Sequence, residues 1–398
     1  MRIALVGAFD RYNYGDILMP IVMKQQIKQN SSDYQNLEFN YFSLSKSSMG
    51  YTGGFDTEEF SSLYKNYYDI IIYVGGEILT SRYTGMYLNV QTSKIKIYTY
   101  KIFRRLFTTF IEDRCRKLLG GKSLKPWVVN KGLLKCKALI YNTVGGDMYF
   151  GTTKLNKVEV ENNIKKIDYI SVREEATFKV VKAINKNATL CPDSVIAVSD
   201  LIDDSYIERN VNKRIKFVVN NESNYFVFQI NRLEGKKYIK EIVKQIKLIN
   251  KTTSLRVILL PIGYAQGHED DRVLKQIYDK LNMDGAFIPN FNNIYETIYI
   301  IKNSKFYVGT SLHGAITAIS YNIPHIALTS NIKKLKDFLT TWKTTPIIYT
   351  EICELSNSVN RLLENYNDAK TQVKDANKKM KELVNNNFNN INQFIKLQ

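Results

Sequence analysis

The sequence predicts an α/β fold: two Rossmann-like, doubly wound domains with parallel sheets that face a cleft, followed by a long C-terminal helix. Three observations lead there. The chain has 398 residues, more than one hydrophobic core usually organises, so two domains are expected. Short continuous apolar runs alternate with segments of helical spacing, as parallel strands do when helices cover both faces of their sheet. Apolar residues also recur at alternating steps of four and three from Leu355 to Leu383, with no Gly or Pro after Pro346, which is the pattern of one long helix of roughly 30 residues. The expected boundaries are 1–200 for an N-terminal domain with a basic insertion at 94–137, 201–350 for a C-terminal domain, and 351–398 for a helical tail.

The first element is a strand over 2–8, followed by the loop GAFDRYNYGD and a helix from Asp16 to Gln29. Strand, glycine-bearing turn and helix form a nucleotide-type entry, yet the segment lacks both GxGxxG and the Lys-Ser/Thr ending of a phosphate-binding loop. Asp16 is either the helix N-cap or a functional carboxylate. A carboxylate there would repel a bound phosphate, so a functional Asp16 suits the neutral hydroxyls of a sugar. A second strand is expected over 37–44, with a polar loop carrying Gly50, Gly53 and Gly54 behind it. The strands 69–74 and 138–144 end alike, in Gly75-Gly76-Glu77 and Gly145-Gly146-Asp147. Glycines at such ends let a ligand approach the backbone, although the same residues also serve ordinary strand-to-helix turns. A strand over 168–172 delivers Arg173 and Glu174, and a helix over 175–185 leads to Cys191-Pro192-Asp193.

The second half repeats the plan with strands over 225–230, 255–260, 286–288 and 306–308, and helices over 236–249, 270–281 and 293–302. The strand at 306–308 runs into Gly309-Thr310-Ser311, and His313 falls where the next helix begins, a helix that Asn322 and Pro324 end. Free amides and the helix dipole at such a position favour an anion. His313 is therefore a candidate acid or base beside a bound anion; the plain alternative is a hydrogen-bonded core histidine. Active sites of paired α/β domains lie in the cleft between the carboxyl ends of their sheets, and Gly15-Asp16, Arg173 and His313 all come from such ends.

Composition narrows the function. With 44% apolar and 24% charged residues the chain has the balance of a soluble globular protein, and it contains no uninterrupted apolar run long enough to span a bilayer. The opening MRIALVGA is too short for a signal peptide and is expected to be a buried strand, which points to the cytoplasm. The four cysteines are scattered, as reduced thiols are, and no His/Cys cluster has metal-ligand spacing, so no metal or other cofactor is expected. The net charge is +18, and +11 of it lies between Lys94 and Lys137, where thirteen Lys and Arg oppose Glu112 and Asp113 and alternate with apolar residues. Such a stretch suits peripheral contact with an anionic membrane at its inner face; a solvated helical face packed on the domain explains it equally. Nucleic acid is not expected, because no binding module accompanies the charge.

Five spaced signals resemble the polysaccharide pyruvyl transferase family: N-x-G-D at Asn13–Asp16, Y-V-G-G at Tyr73–Gly76, S-V-R-E at Ser171–Glu174, C-P-D at Cys191–Asp193 and S-L-H-G at Ser311–Gly314. The resemblance extends over residues 1–330. It implies the two-domain architecture of glycosyltransferase-B-like enzymes, with pyruvate passed from phosphoenolpyruvate to a sugar of a cell-surface polysaccharide, or of its lipid-linked precursor, as a ketal. In many members an Arg stands two residues before the His, where this chain has Ser311. A cation for the donor must then come from elsewhere, with Arg173 and the pair Lys333-Lys334 as candidates.

The reaction so implied needs an acid for the methylene carbon of the donor, a base for the sugar hydroxyl, and cationic clamps. His313 is the expected acid and Asp16 the expected base or hydroxyl orienter. Asn13, Gly15, Gly75, Gly76, Arg173, Thr310, Ser311, Lys333 and Lys334 complete the expected binding set. Two other functions fit the same residues: a glycosyltransferase with a nucleotide-sugar donor on the same fold, and a non-catalytic module that binds anionic polymer through 94–137.

Overall fold

Continuous apolar runs make the strands of two parallel sheets, one in each of two compact units. The structure, a computed structural model, describes residues 1–31, 34–91, 93–221, 224–328, 331–346 and 349–396; for the helical residues 94, 96, 101, 104–106 and 155 it describes the backbone alone. Unit 1 comprises residues 1–11, 19–194 and 385–398, and unit 2 comprises 12–18 and 195–384. The seven residues 12–18, which carry the N-x-G-D signal, thus belong with unit 2 and not with the strand that precedes them.

In unit 1 the described strands are β1 (Arg2–Val6), β2 (Glu38–Ser43), β3 (Glu58–Glu59), β4 (Tyr67–Tyr73), β5 (Lys135–Val144), β6 (Tyr169–Val172) and β7 (Thr189–Leu190), in the order β3-β2-β1-β4-β5-β6-β7. All neighbouring pairs are parallel. Ile3 to Val6 and Ile70 to Tyr73 are fully buried, as expected for strands covered on both faces. The loop after β2 is less irregular than its glycines suggest, because Ser47 and Thr57 pair across it and β3 extends the sheet.

Unit 2 contains β8 (Tyr225–Gln229), β9 (Arg256–Leu259), β10 (Ala286–Phe287), β11 (Tyr307–Gly309) and β12 (His325–Ala327), in the order β10-β9-β8-β11-β12, again all parallel. The chain winds outward from β8 in one direction and from β11 in the other, so the order reverses between these two strands. Their core joins Phe226, Phe228, Val308 and Ile326 to Ile242, Ile246, Leu274 and Ile277 of the covering helices.

The basic stretch 94–137 is not one amphipathic element. It forms two helices, Lys94–Leu106 and Thr108–Leu118, then a buried segment with Trp127 and Val128, then the start of β5. Several of its cations serve the fold: Lys131 pairs with Asp168 at 2.6 Å, Lys137 with Asp69 at 3.4 Å, and the buried Lys125 donates to the carbonyls of Leu79 and Phe150. The side chains of Arg104 and Arg105 lie outside the described residues. Among the described residues no helix is long and apolar enough to cross a membrane.

The tail also departs from a single helix starting near Leu355. Two helices, Leu355–Glu364 and Tyr366–Lys396, meet at Asn365, whose φ/ψ of −111°/31° is not helical. Leu355, Val359, Leu362 and Ala369 join the core of unit 2. After Met380 the buried positions become Val384, Phe388 and Ile391, while Leu383 is exposed, so the strict repeat drifts off the buried face as a straight helix requires.

Candidate active site

In open parallel sheets the crevice beyond the strand ends at the point of reversal is where ligands bind. In unit 2 that point lies between β8 and β11, whose last residues, Gln229 and Gly309, are paired in register. Gln229 is the polar end of an otherwise apolar strand and is buried. Its Oε1 accepts hydrogen bonds from Thr310 N at 3.0 Å, Ser311 N at 2.9 Å and Thr310 Oγ1 at 3.2 Å, while its Nε2 donates to Asp270 Oδ2 at 2.8 Å. Thr310 Oγ1 in turn accepts from Asn231 N at 2.9 Å. The Gly309-Thr310-Ser311 turn is therefore fixed before the helix begins.

The helix Leu312–Ser320 follows, capped by Ser311, whose hydroxyl accepts from Gly314 N at 3.3 Å. Ser311 thus takes the place the resemblance gives to Arg and uses its oxygen as a cap, worth about 1 kcal/mol. Gly314 is required for a steric reason: a Cβ there would lie 2.2 Å from the buried Tyr307 hydroxyl. His313, on the first turn, is half-buried.

Residues 12–18 pack directly on this turn. Tyr14 N donates to Ile262 O at 2.9 Å, and Tyr264 N and Ala265 N donate to Tyr12 O, so the loop runs antiparallel to the segment that follows β9. Tyr14 Oη meets Thr317 Oγ1 at 2.7 Å, and Thr317 Oγ1 donates to His313 O at 2.8 Å. The consequence is a close approach at Gly15, where a Cβ would fall 1.9 Å from His313 Nδ1. Gly15 is the residue that lets the imidazole lie against the backbone beside Asp16. The helix begins at Tyr14, so Asp16 is in its first turn and is not the N-cap, and Asn13 Nδ2 donates to Asp16 Oδ2 at 2.9 Å. Asn13, Gly15, Asp16, Ser311 and His313 are thereby assembled in unit 2. The helices starting at Tyr14, Arg232 and Leu312 begin around this assembly and bring the positive ends of their dipoles.

Sequence reasoning missed Gln229, Asn231, Arg232 and Asp270. The signal available was a polar residue ending an apolar strand, as Gln229 does, followed at once by the Asn231 cap of a long helix. Arg232 opens that helix with its side chain about 33% exposed; it pairs with Glu269, which Arg272 also holds at 2.6 Å. Asp270 is 2% exposed, and burial pushes its carboxyl up to about 7 against the lowering effect of the Gln229 and Ile262 hydrogen bonds.

The remaining expected site residues are divided between the two units. Arg173 in unit 1 is 1% exposed, with Nε 3.2 Å from Glu174 Oε2 and Nη1 2.9 Å from Asp193 Oδ2. Burial alone would lower the guanidinium pKa, but the two carboxylates overcome it and hold it above its usual value. Its charge is thus engaged inside the fold, where Arg173 ties the S-V-R-E and C-P-D signals together. Thr310 is likewise buried, and its hydroxyl is hydrogen-bonded within the turn. Gly75 and Gly76, also in unit 1, have φ of 128° and 87°, a region that favours glycine, and Gly76 pairs with Val144. A Cβ at Gly75 would lie 2.6 Å from Met19 Sδ. Lys333 and Lys334 open the helix Lys333–Trp342, the first exposed and the second half-buried. His325 is a core histidine, 3.0 Å from Thr344 Oγ1, whose pKa burial lowers to about 4. Among the described residues no group of three or more His, Cys, Asp or Glu is arranged to hold a metal.

Comparison with known proteins adds the following. Residues 13–331 match the sequence family described as polysaccharide pyruvyl transferase. A search of curated proteins finds none similar in sequence. Solved structures that resemble the fold include the MnaA–UDP structure from S. aureus (TM-score 0.59, 12% identity, 100% of this chain and 97% of that one). A UDP-GlcNAc 2-epimerase from Neisseria meningitidis, solved with UDP-GlcNAc, is similar over 100% of both chains (TM-score 0.57, 10% identity). A structure from Listeria monocytogenes described as a UDP-N-acetylglucosamine 2-epimerase covers 97% of this chain and 94% of that one (TM-score 0.59, 9% identity). At these identities the likeness is one of fold, the two-unit glycosyltransferase-B-like class.

Proposed function

The chain belongs to the polysaccharide pyruvyl transferase family, and from that premise we propose that it transfers pyruvate from phosphoenolpyruvate to two hydroxyls of one sugar, forming a cyclic ketal and releasing phosphate. The observation that carries this reading is the close approach of His313 to Gly15, the residue next to Asp16, whose carboxylate accepts a hydrogen bond from Asn13. His313 delivers a proton to the methylene carbon of the donor, which becomes the methyl group. Asp16 takes the proton of the first hydroxyl as its oxygen bonds to the central carbon. The second hydroxyl then displaces phosphate at that carbon and closes the ring, its proton restoring His313 while the proton held by Asp16 leaves with the phosphate. An acid and a base at one site meet both proton demands.

The donor is an anion, and Arg232 is the cation suited to it. It stands one residue past Asn231, which is bonded to the Thr310 turn, and its guanidinium is accessible, unlike that of Arg173. Exchange of the Glu269 contact for the donor would keep the charge paired throughout. Neither cytoplasmic residence nor the nature of the acceptor polysaccharide is needed for this chemistry.

The test is phosphate release from phosphoenolpyruvate in the presence of candidate sugar acceptors, with a UDP-sugar as the alternative donor. The expected outcome is acceptor-dependent phosphate release that falls about 100- to 10,000-fold in His313→Ala while the melting temperature stays near that of the unsubstituted protein. Turnover of the UDP-sugar without phosphoenolpyruvate would instead favour a glycosyltransferase, and loss of folded protein in His313→Ala would return His313 to a core role.

A further inference from the structure

We propose that the helices Lys94–Leu106 and Thr108–Leu118 form a docking surface for an anionic phospholipid membrane, a property separate from the reaction above and independent of it. The helix pair has two apolar faces, and only one is used inside the fold. On the inner face Ile97, Ile111 and Cys115 are buried, and Ile111 and Cys115 pack with Tyr83, Tyr87 and Tyr100. Glu112 fastens that face by accepting hydrogen bonds from Tyr83 N at 2.6 Å and from Thr84 N at 3.1 Å. On the outer face Ile95, Tyr98, Phe103, Phe107, Phe110 and Leu118 are exposed, Ile95 at 80%, Tyr98 at 69% and Phe110 at 65%. Single exposed apolar residues are ordinary; six large ones along two consecutive helices are not.

Charge identifies the occupant. From Lys94 to Leu118 eight Lys and Arg oppose only Glu112 and Asp113. Glu112 is turned inward, and Asp113 is held by Arg116 and by Lys117 at 2.9 Å, so both acids of this segment are already engaged. A second copy of this chain would bring like charges face to face across a two-fold contact. A soluble anionic polymer would meet the cations but leave the aromatic and aliphatic side chains in water. An anionic bilayer satisfies both: headgroups pair with Lys and Arg, and the apolar side chains enter the region just beneath.

The experiment is sedimentation of the full chain with vesicles of phosphatidylcholine and phosphatidylglycerol in equal parts, against phosphatidylcholine alone. Binding is expected to the anionic vesicles and to weaken about tenfold or more at high salt. It should also fall about tenfold or more in Tyr98→Ser/Phe107→Ser/Phe110→Ser and in Arg114→Glu/Lys117→Glu. The replaced side chains are outside the core, so both variants should melt like the unsubstituted chain. No binding to anionic vesicles, equal binding to neutral ones, or binding unchanged by the apolar substitutions would overturn the proposal. So would a dimer that the apolar substitutions convert to monomer, which would make the face an interface between copies of the chain.

Discussion

Asp270 is a carboxyl group with almost no solvent and an incomplete set of donors. Oδ2 accepts from Gln229 Nε2 at 2.8 Å and lies 3.4 Å from Ile262 N, whereas Oδ1 meets no donor among the described residues. Burial therefore favours the neutral acid and moves the pKa from 3.8 to about 7. Between these values the folded chain keeps a proton that the unfolded chain has lost. This contribution to stability is fully present below pH 3.8 and is lost as pH rises toward about 7, after which it stays constant. Asp270→Asn, which mimics the neutral form, should raise stability by only roughly 1–2 kcal/mol at pH 5 and by roughly 4 kcal/mol at pH 8, as read from denaturant midpoints. A variant that is less stable than the parent at both pH values would show that the carboxylate is the required form. Residue-scale roles of this kind were the least legible in the sequence. Asp270 stands next to Asp271 at the start of a helix, where acids are common, and nothing in the chain order announces that Gln229 meets it across 41 positions. The partners of Arg173 were hidden in the same way: its charge is visible in the sequence, but Asp193, which pairs with it, is twenty residues away.

At the scale of elements, the site depends on how β8 hands the chain to one side of the sheet and β11 to the other. Gln229 is the joint, since its one oxygen holds the two backbone amides that open the turn before His313. Gln229→Leu keeps the bulk but leaves those buried amides without this acceptor, each at a cost of about 1–3 kcal/mol. The variant should lose roughly 2–5 kcal/mol in urea unfolding. Even where it remains folded, its phosphate release should fall further than its folded fraction does, because the turn that aims His313 is loosened. Activity that simply follows the folded fraction would mean that Gln229 serves stability alone. The elements themselves were largely readable. The apolar runs of β1, β4, β5, β8 and β9 match the strands within a few residues, because strands buried on both faces cannot hide polar side chains. The two-residue strands β3 and β7 were not, since they are too short to show a period. The turn at Ser311 and the room at Gly15 were legible as motifs bound for one cleft, but not as parts of one unit, because that depends on residues 12–18 pairing with the segment after β9.

For the whole molecule the last helix is the informative element. It has 31 residues, about 46 Å, and its residues up to Val384 group with unit 2 while those from Asn385 group with unit 1. The apolar repeat made a long helix predictable from sequence, yet it could not tell that the buried face is satisfied within the same chain. In unit 2 Asn377 Nδ2 donates to Ser320 O at 3.1 Å, and Lys381 pairs with Asp200 at 2.6 Å. In unit 1 Asn387 accepts from Tyr169 Oη and donates to Asn142 Oδ1, each at 2.8 Å, while Phe388 and Ile391 are buried. Truncation after Val384 removes those two side chains and Ile395 from unit 1, roughly 4–8 kcal/mol of apolar burial as an upper figure. That is comparable with the whole stability of a typical domain, about 5–15 kcal/mol. The truncated chain should therefore lose hydrogen-exchange protection in β5 and β6, where Asn142 and Tyr169 lie, while β8 and β11 keep theirs. Unchanged protection in β5 and β6 would show that unit 1 does not need the helix end. Loss of protection in β8 and β11 as well would show that the two units unfold as one, so that the end of this helix governs the stability of the unit that carries His313.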